Sequence, residues 1–179
     1  MDKIPRGPRE IQEILARLAQ ELMSSISAWD EVAFIGIRSG GELIARGLVK
    51  ILQEKTGKQI PLGALDIALY RDDLTRRKSY PEVRSTDIPF AVDARDIILV
   101  DDVLFTGRSV RAAIDHIVDL GRPKRIYLLV LFDRQGRELP IQADFTGLKI
   151  SLRDDQVIKI EAAADKDAIA GVVISEVKK

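Results

Sequence analysis

Residues 97–109 read Ile-Ile-Leu-Val-Asp-Asp-Val-Leu-Phe-Thr-Gly-Arg-Ser, which places two carboxylates a short way ahead of a glycine-centred turn. Four apolar residues predict a buried strand, with Asp101 and Asp102 at its carboxyl end. Thr106, Gly107, Arg108 and Ser109 then lead into the next helix. Gly107 tolerates a positive φ and lets backbone come close to a ligand. Backbone N–H groups of residues 106–109, placed at a helix N-terminus, make an anion site by geometry and by dipole. The Thr106 and Ser109 hydroxyls add donors. The acids sit roughly a sugar's length back from that anion, and carboxylates accept hydrogen bonds from vicinal hydroxyls. Acid pair, spacer and anion nest together describe a holder for a ribose 5-phosphate group.

The surrounding pattern supplies elements to position these groups. Ile11, Ile14, Leu15, Leu18, Leu22 and Ile26 recur at helical spacing and predict a helix over Pro8–Ile26, with Pro8 near its start. A short strand over Val32–Ile37 ends in Arg38-Ser39-Gly40-Gly41, and a helix follows from about Glu42 to Glu54. Further strands are predicted over Leu62–Tyr70, Asp96–Asp101 and Arg125–Phe132, with a loop and helix over Thr106–Leu120. This alternation, with continuous apolar runs, predicts an α/β fold whose central parallel sheet is flanked by helices. Open sheets of this kind bind ligands at the carboxyl ends of their strands. The loops after Ile37, Tyr70, Asp102 and Phe132 are therefore expected to share one site. Residues 71–87 are polar, charged and broken by Pro81, a length more typical of a functional lid than of filler. Short strand-like pieces around Phe145 and Val157 are expected to form a small cap near the strand ends.

Composition narrows the classes. Lys+Arg and Asp+Glu are equal at 28 each, which argues against a general polyanion binder and leaves room only for a local basic patch. The absence of Cys rules out disulfides and Cys-ligated metals. No apolar signal core opens the chain and no run approaches membrane-spanning length. The expectation is one domain over residues 1–179, cytoplasmic, with no membrane partner. His116, the only histidine, falls on the polar face of its helix and reads as solvated; Trp29 reads as a core anchor.

Residues 97–109 resemble the motif of type I phosphoribosyltransferases that binds phosphoribosyl pyrophosphate (PRPP), with Ser109 where Thr is more usual. Tyr70-Arg71-Asp72-Asp73-Leu74, Gly121-Arg122-Pro123 and Arg137-Glu138-Leu139-Pro140-Ile141 narrow the likeness. They resemble the PyrR family, pyrimidine-operon regulators that are also uracil phosphoribosyltransferases. The likeness runs from about Ile11 to Leu152.

The resemblance implies a type I fold with a flexible flap at about 71–87 and a C-terminal hood at about 133–160. It implies that uracil and PRPP give UMP and pyrophosphate. Phe105 stands where purine-type relatives often carry an acid, which points away from a purine. Asp101, Asp102 and the flap's Arg71 are the expected catalytic residues. Thr106, Gly107, Arg108 and Ser109 hold the ribose phosphate beside the acids; Arg38, Ser39, Gly40 and Gly41 form the pyrophosphate loop. Mg²⁺ is expected to arrive with PRPP and to meet Asp101 and Asp102 directly or through water. Phe132, Asp133 and Arg137, with Arg134 between them at the end of the fourth strand, mark the base pocket, and a surface ion pair with Glu138 is nearly as open to Arg137. A homodimer or homotetramer is the implied assembly. Two other functions stand beside this one: a UMP-responsive RNA-binding regulator, and a phosphoribosyltransferase for another base. RNA is not the favoured partner. Ala16 and Gln20 flank Arg17 on the first helix, and neutral Gln142 follows the Arg-Glu-Leu-Pro stretch, although Lys124, Lys149 and Arg153 remain as cations.

Overall fold

The computed structural model describes residues 4–5, 7–70, 85–164 and 168–176. Five strands form one parallel sheet: β1 (Val32–Ile37), β2 (Leu62–Leu65), β3 (Asp96–Leu104), β4 (Arg125–Arg134) and β5 (Phe145–Ile150), in the order β2-β1-β3-β4-β5. Three helices cover it: α1 (Pro8–Ser25), α2 (Gly40–Thr56) and α3 (Arg108–Leu120). Strand alternation sorts the core into two layers. Ile98 and Val100 point toward α1 and α2, where they meet Leu15, Leu18, Ile44 and Leu48. Ile97 and Leu99 point the other way, toward Val110, Ala113 and Ile117 of α3. Trp29 is buried in the first layer, as a core anchor should be.

The chain runs from β1 through α2 to β2 on one side of β1, then places β3 on the other side. The crevice between β1 and β3 is therefore the switch point of the sheet, where open α/β folds bind their ligands. Glycine makes this crevice narrow. A Cβ on Gly41, at the start of α2, would lie 2.2 Å from the Val100 carbonyl oxygen, and one on Gly36 would lie 2.5 Å from the Glu42 Cα. The start of α2 thus rests directly on β3.

Three boundaries differ from the sequence reading. The second strand stops at Leu65, paired with Ile37, because β1 offers no partner beyond that residue. The chain then turns, and the Tyr70 amide donates to the Ile67 carbonyl at 3.0 Å. On the outer side of β2, Asp87 exchanges two backbone hydrogen bonds with Ala64, at 2.7 and 2.8 Å, which covers part of an otherwise open edge. The third strand continues through the acid pair to Leu104, because β4 still pairs with it there (Leu104 opposite Asp133). The piece around Phe145 is not part of a cap. It is the fifth strand of the main sheet, in register from Leu129–Phe145 to Arg134–Ile150. Gly147 breaks its apolar alternation, and a Cβ there would sit 2.4 Å from the Leu131 carbonyl oxygen.

The hood is instead an antiparallel hairpin of β6 (Gln156–Ala162) and β7 (Ile169–Glu176). Ile158, Ile169 and Val172 anchor it in the layer that also holds α1 and α2.

Candidate active site

The acid pair stands where β3 outruns β1. The last β1–β3 pairing is Gly36 with Val100, so Asp101 and Asp102 have β4 on one side and the loop after β1 on the other. Asp101 is buried and accepts the Asp102 amide at 2.9 Å; Asp102 accepts the Val103 amide at 2.9 Å. Burial pushes the Asp102 carboxyl above the ordinary carboxylate range, against the lowering effect of hydrogen bonds from Asp101 and the Val103 backbone. Gly40 faces it so closely that a Cβ would lie 2.4 Å from Asp102 Oδ2. The loop of Arg38, Ser39, Gly40 and Gly41 thus lies against the acids, as expected. Its cation behaves otherwise. Arg38 Nη1 pairs with Glu42 Oε2 at 3.3 Å, and Arg46 holds the other Glu42 oxygen at 2.7 Å.

Beyond the acids the chain forms the anticipated turn into α3. Gly107 is the N-cap with φ 91°, a conformation costly for any residue with a Cβ. Thr106 Oγ1 accepts the Arg108 amide at 3.3 Å, and the Gly107 carbonyl accepts the Arg111 amide at 2.9 Å. Arg108 Nε pairs with Glu138 at 2.6 Å. Asp101, Leu104, Thr106, Gly107, Arg108 and Ser109 line a cavity of about 500 Å³, and Asp154, Gln156, Val157 and Ile158 of the hood close its far side.

Arg134, one of the residues expected near the base, joins the two walls. Its guanidinium is buried and lies 4.0 Å from the Phe105 ring centre. Nη1 donates to the Gln156 carbonyl at 2.8 Å and Nη2 to the Arg153 carbonyl at 3.0 Å, while the buried Nε has no hydrogen-bond partner among the described residues. Its position at the carboxyl end of β4 was the available signal.

Of the residues expected at the base pocket, Arg134 lines that cavity, and Phe132, Asp133 and Arg137 do not. Phe132 is fully buried in the core. Asp133 and Arg137 pair with each other, and they border a second cavity of about 350 Å³ with Lys149 and Ser151. Arg137 is not paired with Glu138, which holds Arg108 instead. Arg71 and the rest of 71–84, most of the expected flap, lie outside the described residues. Tyr70, just before them, is docked on α3. Its ring stacks on His116 with centroids 4.2 Å apart and planes 10° apart, and its hydroxyl donates to Asp119 at 3.0 Å. That hydrogen bond, ahead of burial, raises the Tyr70 phenol. His116 is thus partly buried rather than solvated, with Nδ1 3.2 Å from the Asp66 carbonyl oxygen.

A family model described as the phosphoribosyl transferase domain matches residues 3–167. "Bifunctional protein PyrR" of Syntrophobacter fumaroxidans is 44% identical over 94% of this chain and 90% of its own. The chain belongs to the PyrR family. Proteins of the same name from Thermus aquaticus (46% identical; 85% of this chain, 84% of that one) and Chloroflexus aurantiacus (46%; 92% and 90%) agree. The fold matches solved phosphoribosyltransferases at far lower identity. A hypoxanthine-guanine phosphoribosyltransferase from Bacillus anthracis has TM-score 0.66 at 16% identity, covering 84% of this chain and 85% of that one. A hypoxanthine phosphoribosyltransferase from Staphylococcus aureus has TM-score 0.64 at 16%, covering 88% and 81%. The type I phosphoribosyltransferase fold read from the PRPP motif is the fold of this chain. Among the described residues, no helix is long and apolar enough to cross a membrane.

Proposed function

We propose that this chain transfers the ribose 5-phosphate of PRPP to uracil, giving UMP and pyrophosphate. The observation that carries the reading is a single cavity. Asp101 of the acid pair and the helix-capping turn of Thr106 to Ser109 line it, and the hood closes it. In this reading the N-terminus of α3 receives the 5-phosphate and the acids face the ribose hydroxyls. Cleavage at C1 leaves positive charge on the sugar, which Asp101 stabilises across a short distance in a buried site. Pyrophosphate departs past Gly40 and Gly41, where the backbone comes closest to Asp102. The base enters between Leu104 and the hood's Val157 and Ile158, with Arg134 beside it as the cation nearest its carbonyls. Positioning and fixed dipoles supply most of the rate.

Mg²⁺ fits this site as a partner of PRPP. Two adjacent carboxylates are too few for a closed protein cage, but they suit an ion that keeps substrate oxygens and water as its other ligands. Asp101 and Asp102 would hold it, and it would neutralise charge on the pyrophosphate. Arg71 and the flap are proposed to cover the site, excluding water from the reaction. A cytoplasmic homodimer or homotetramer is proposed from the family.

The test is pyrophosphate release on mixing PRPP with uracil, hypoxanthine, adenine, orotate or xanthine. Uracil should give stoichiometric release, with UMP as product. Faster release with any other base would overturn the choice of base, and no release with any of them would overturn the enzyme.

The relatives' name, a bifunctional protein, supports a second reading, a UMP-responsive RNA regulator. The cations of the first helix do not favour it. Arg9 pairs with Glu13 at 3.3 Å, and Arg17 is held by the Gly147 carbonyl and by Glu21. Binding to pyrimidine-leader RNA is expected to be weak and to vanish at physiological salt. Submicromolar binding with UMP at 150 mM salt, surviving excess unrelated RNA, would make regulation the primary role.

A further inference from the structure

The segment expected to read the base has every nitrogen of its arginine engaged elsewhere. Arg137 Nη1 donates to three carbonyls, those of Leu104 (3.2 Å), Phe105 (2.7 Å) and Arg134 (3.0 Å). Its Nε donates to the Ile141 carbonyl at 2.9 Å, and Nη2 is paired with Asp133. The next carbonyl along the turn, that of Thr106, accepts two amides of the same segment, Glu138 at 3.0 Å and Leu139 at 3.1 Å. Beneath Gly107, a Cβ would meet Ile141 at 3.3 Å and Leu139 at 3.4 Å. Three successive carbonyls, 104 to 106, are thus drawn to one side by residues 137–139.

Peptide planarity turns this into a statement about the opposite side. In a trans peptide the carbonyl of one residue and the N–H of the next point in opposite directions. Fixing the carbonyls of Leu104, Phe105 and Thr106 toward the 137–139 segment therefore turns the N–H groups of Phe105, Thr106 and Gly107 away from it. Successive N–H groups held on one side form an anion-accepting concavity. We propose that Arg137 is a positioning residue for phosphate binding: it braces the Leu104–Gly107 turn from behind and does not touch the ligand. The proposal rests on the reading of that turn as the 5-phosphate site. A guanidinium suits the task because its planar fork reaches several carbonyls at once, whereas an ammonium offers three donors from a single point.

The test is Arg137→Lys and Arg137→Ala, titrated with ribose 5-phosphate in the absence of base, with parallel steady-state kinetics and amide hydrogen exchange. Arg137→Lys should weaken ribose 5-phosphate by about tenfold, the equivalent of one charge-assisted hydrogen bond, and Arg137→Ala by more. KM for PRPP should rise by the same factor, with KM for uracil at saturating PRPP within about twofold of wild type. Amides of 105–107 should exchange faster, while those of β1 and α1 stay unchanged. Wild-type affinity in Arg137→Lys overturns the brace. So does an equal change in both KM values accompanied by a general rise in exchange, the signature of a merely structural role. If Arg137→Ala does not fold, Arg137→Lys decides alone, since it keeps both charge and bulk. A wild-type protein that binds neither ribose 5-phosphate nor PRPP overturns the site reading itself, and the brace falls with it.

Discussion

Replacing Asp102 with Asn should make the ligand-free protein more stable and the enzyme slower. Burial holds the Asp102 carboxyl above its ordinary range, so there is a pH window in which the folded chain keeps a proton that the unfolded chain has lost. Within that window stability falls as pH rises, by about 1.4 kcal/mol per pH unit. The window opens near the ordinary carboxylate pKa of about 4 and closes at the folded-state value. Asparagine keeps the side chain's size beside Gly40 but has no charge, so it lacks this slope. The two proteins should melt together near pH 4 and diverge above it. In a domain of this length, 1 kcal/mol corresponds to roughly 2–4 °C of Tm. Each pH unit of the window should therefore appear as an advantage of at least about 2–4 °C for Asp102→Asn at pH 8. Thermal melts from pH 4 to 8 in EDTA measure it. The kcat of the same variant should fall by roughly 10²-fold or more, because a charge facing the reacting sugar is gone. A melting difference that does not change with pH, or a variant less stable than wild type at pH 8, would refute the argument.

Other substitutions probe the remaining geometry. Gly41→Ala puts a Cβ 2.2 Å from the Val100 carbonyl and 2.9 Å from the Asp101 Cα, both backbone atoms that cannot swing aside. It should cost about 1–3 kcal/mol in denaturant melts and raise KM for PRPP. Ile158→Ala removes a buried hood side chain beside the cavity and should cost about 2–5 kcal/mol, with KM for uracil rising more than KM for PRPP. In a phenol titration, the Tyr70 component should lie above the ordinary tyrosine range, because its proton is held in the hydrogen bond to Asp119 and, beyond burial, ionising it sets two negative charges together. Asp119→Asn should return it toward that range, and an unmoved titration would mean that the Tyr70–Asp119 contact does not form in solution.

The sequence carried the local structure of the acid pair and the turn after it well, because a strand, a turn and a helix start lie within thirteen consecutive residues. Local patterning also set α1, β1 and α2 close to their observed bounds. It failed where partners decide. The end of β2 depends on where β1 stops, and the role of β5 depends on β4 lying open at its far edge. The base side failed for a related reason. Asp133, Arg134 and Arg137 are near neighbours in sequence, but the strand pleat and the turn at Gly136 send Arg134 to the hood and Arg137 behind the phosphate turn. Arg38 was legible as a cation at a strand end, yet its ion pair with Glu42 one helical turn later was overlooked.

The hood that closes the cavity is a hairpin of its own, joined late in the chain and, among the described residues, sharing no strand pairing with the main sheet. Its cavity wall is built from Gln156, Val157 and Ile158, while the facing turn of 104–109 has its first three carbonyls held by residues 137–139. Under the proposed function, substitutions at Val157 and Ile158 act first on the base and those at 106–109 on the sugar phosphate, while Leu104 and Arg134 stand between the two. Under that reading, hood substitutions alter the fit of the base and leave the turn that faces the sugar phosphate unchanged.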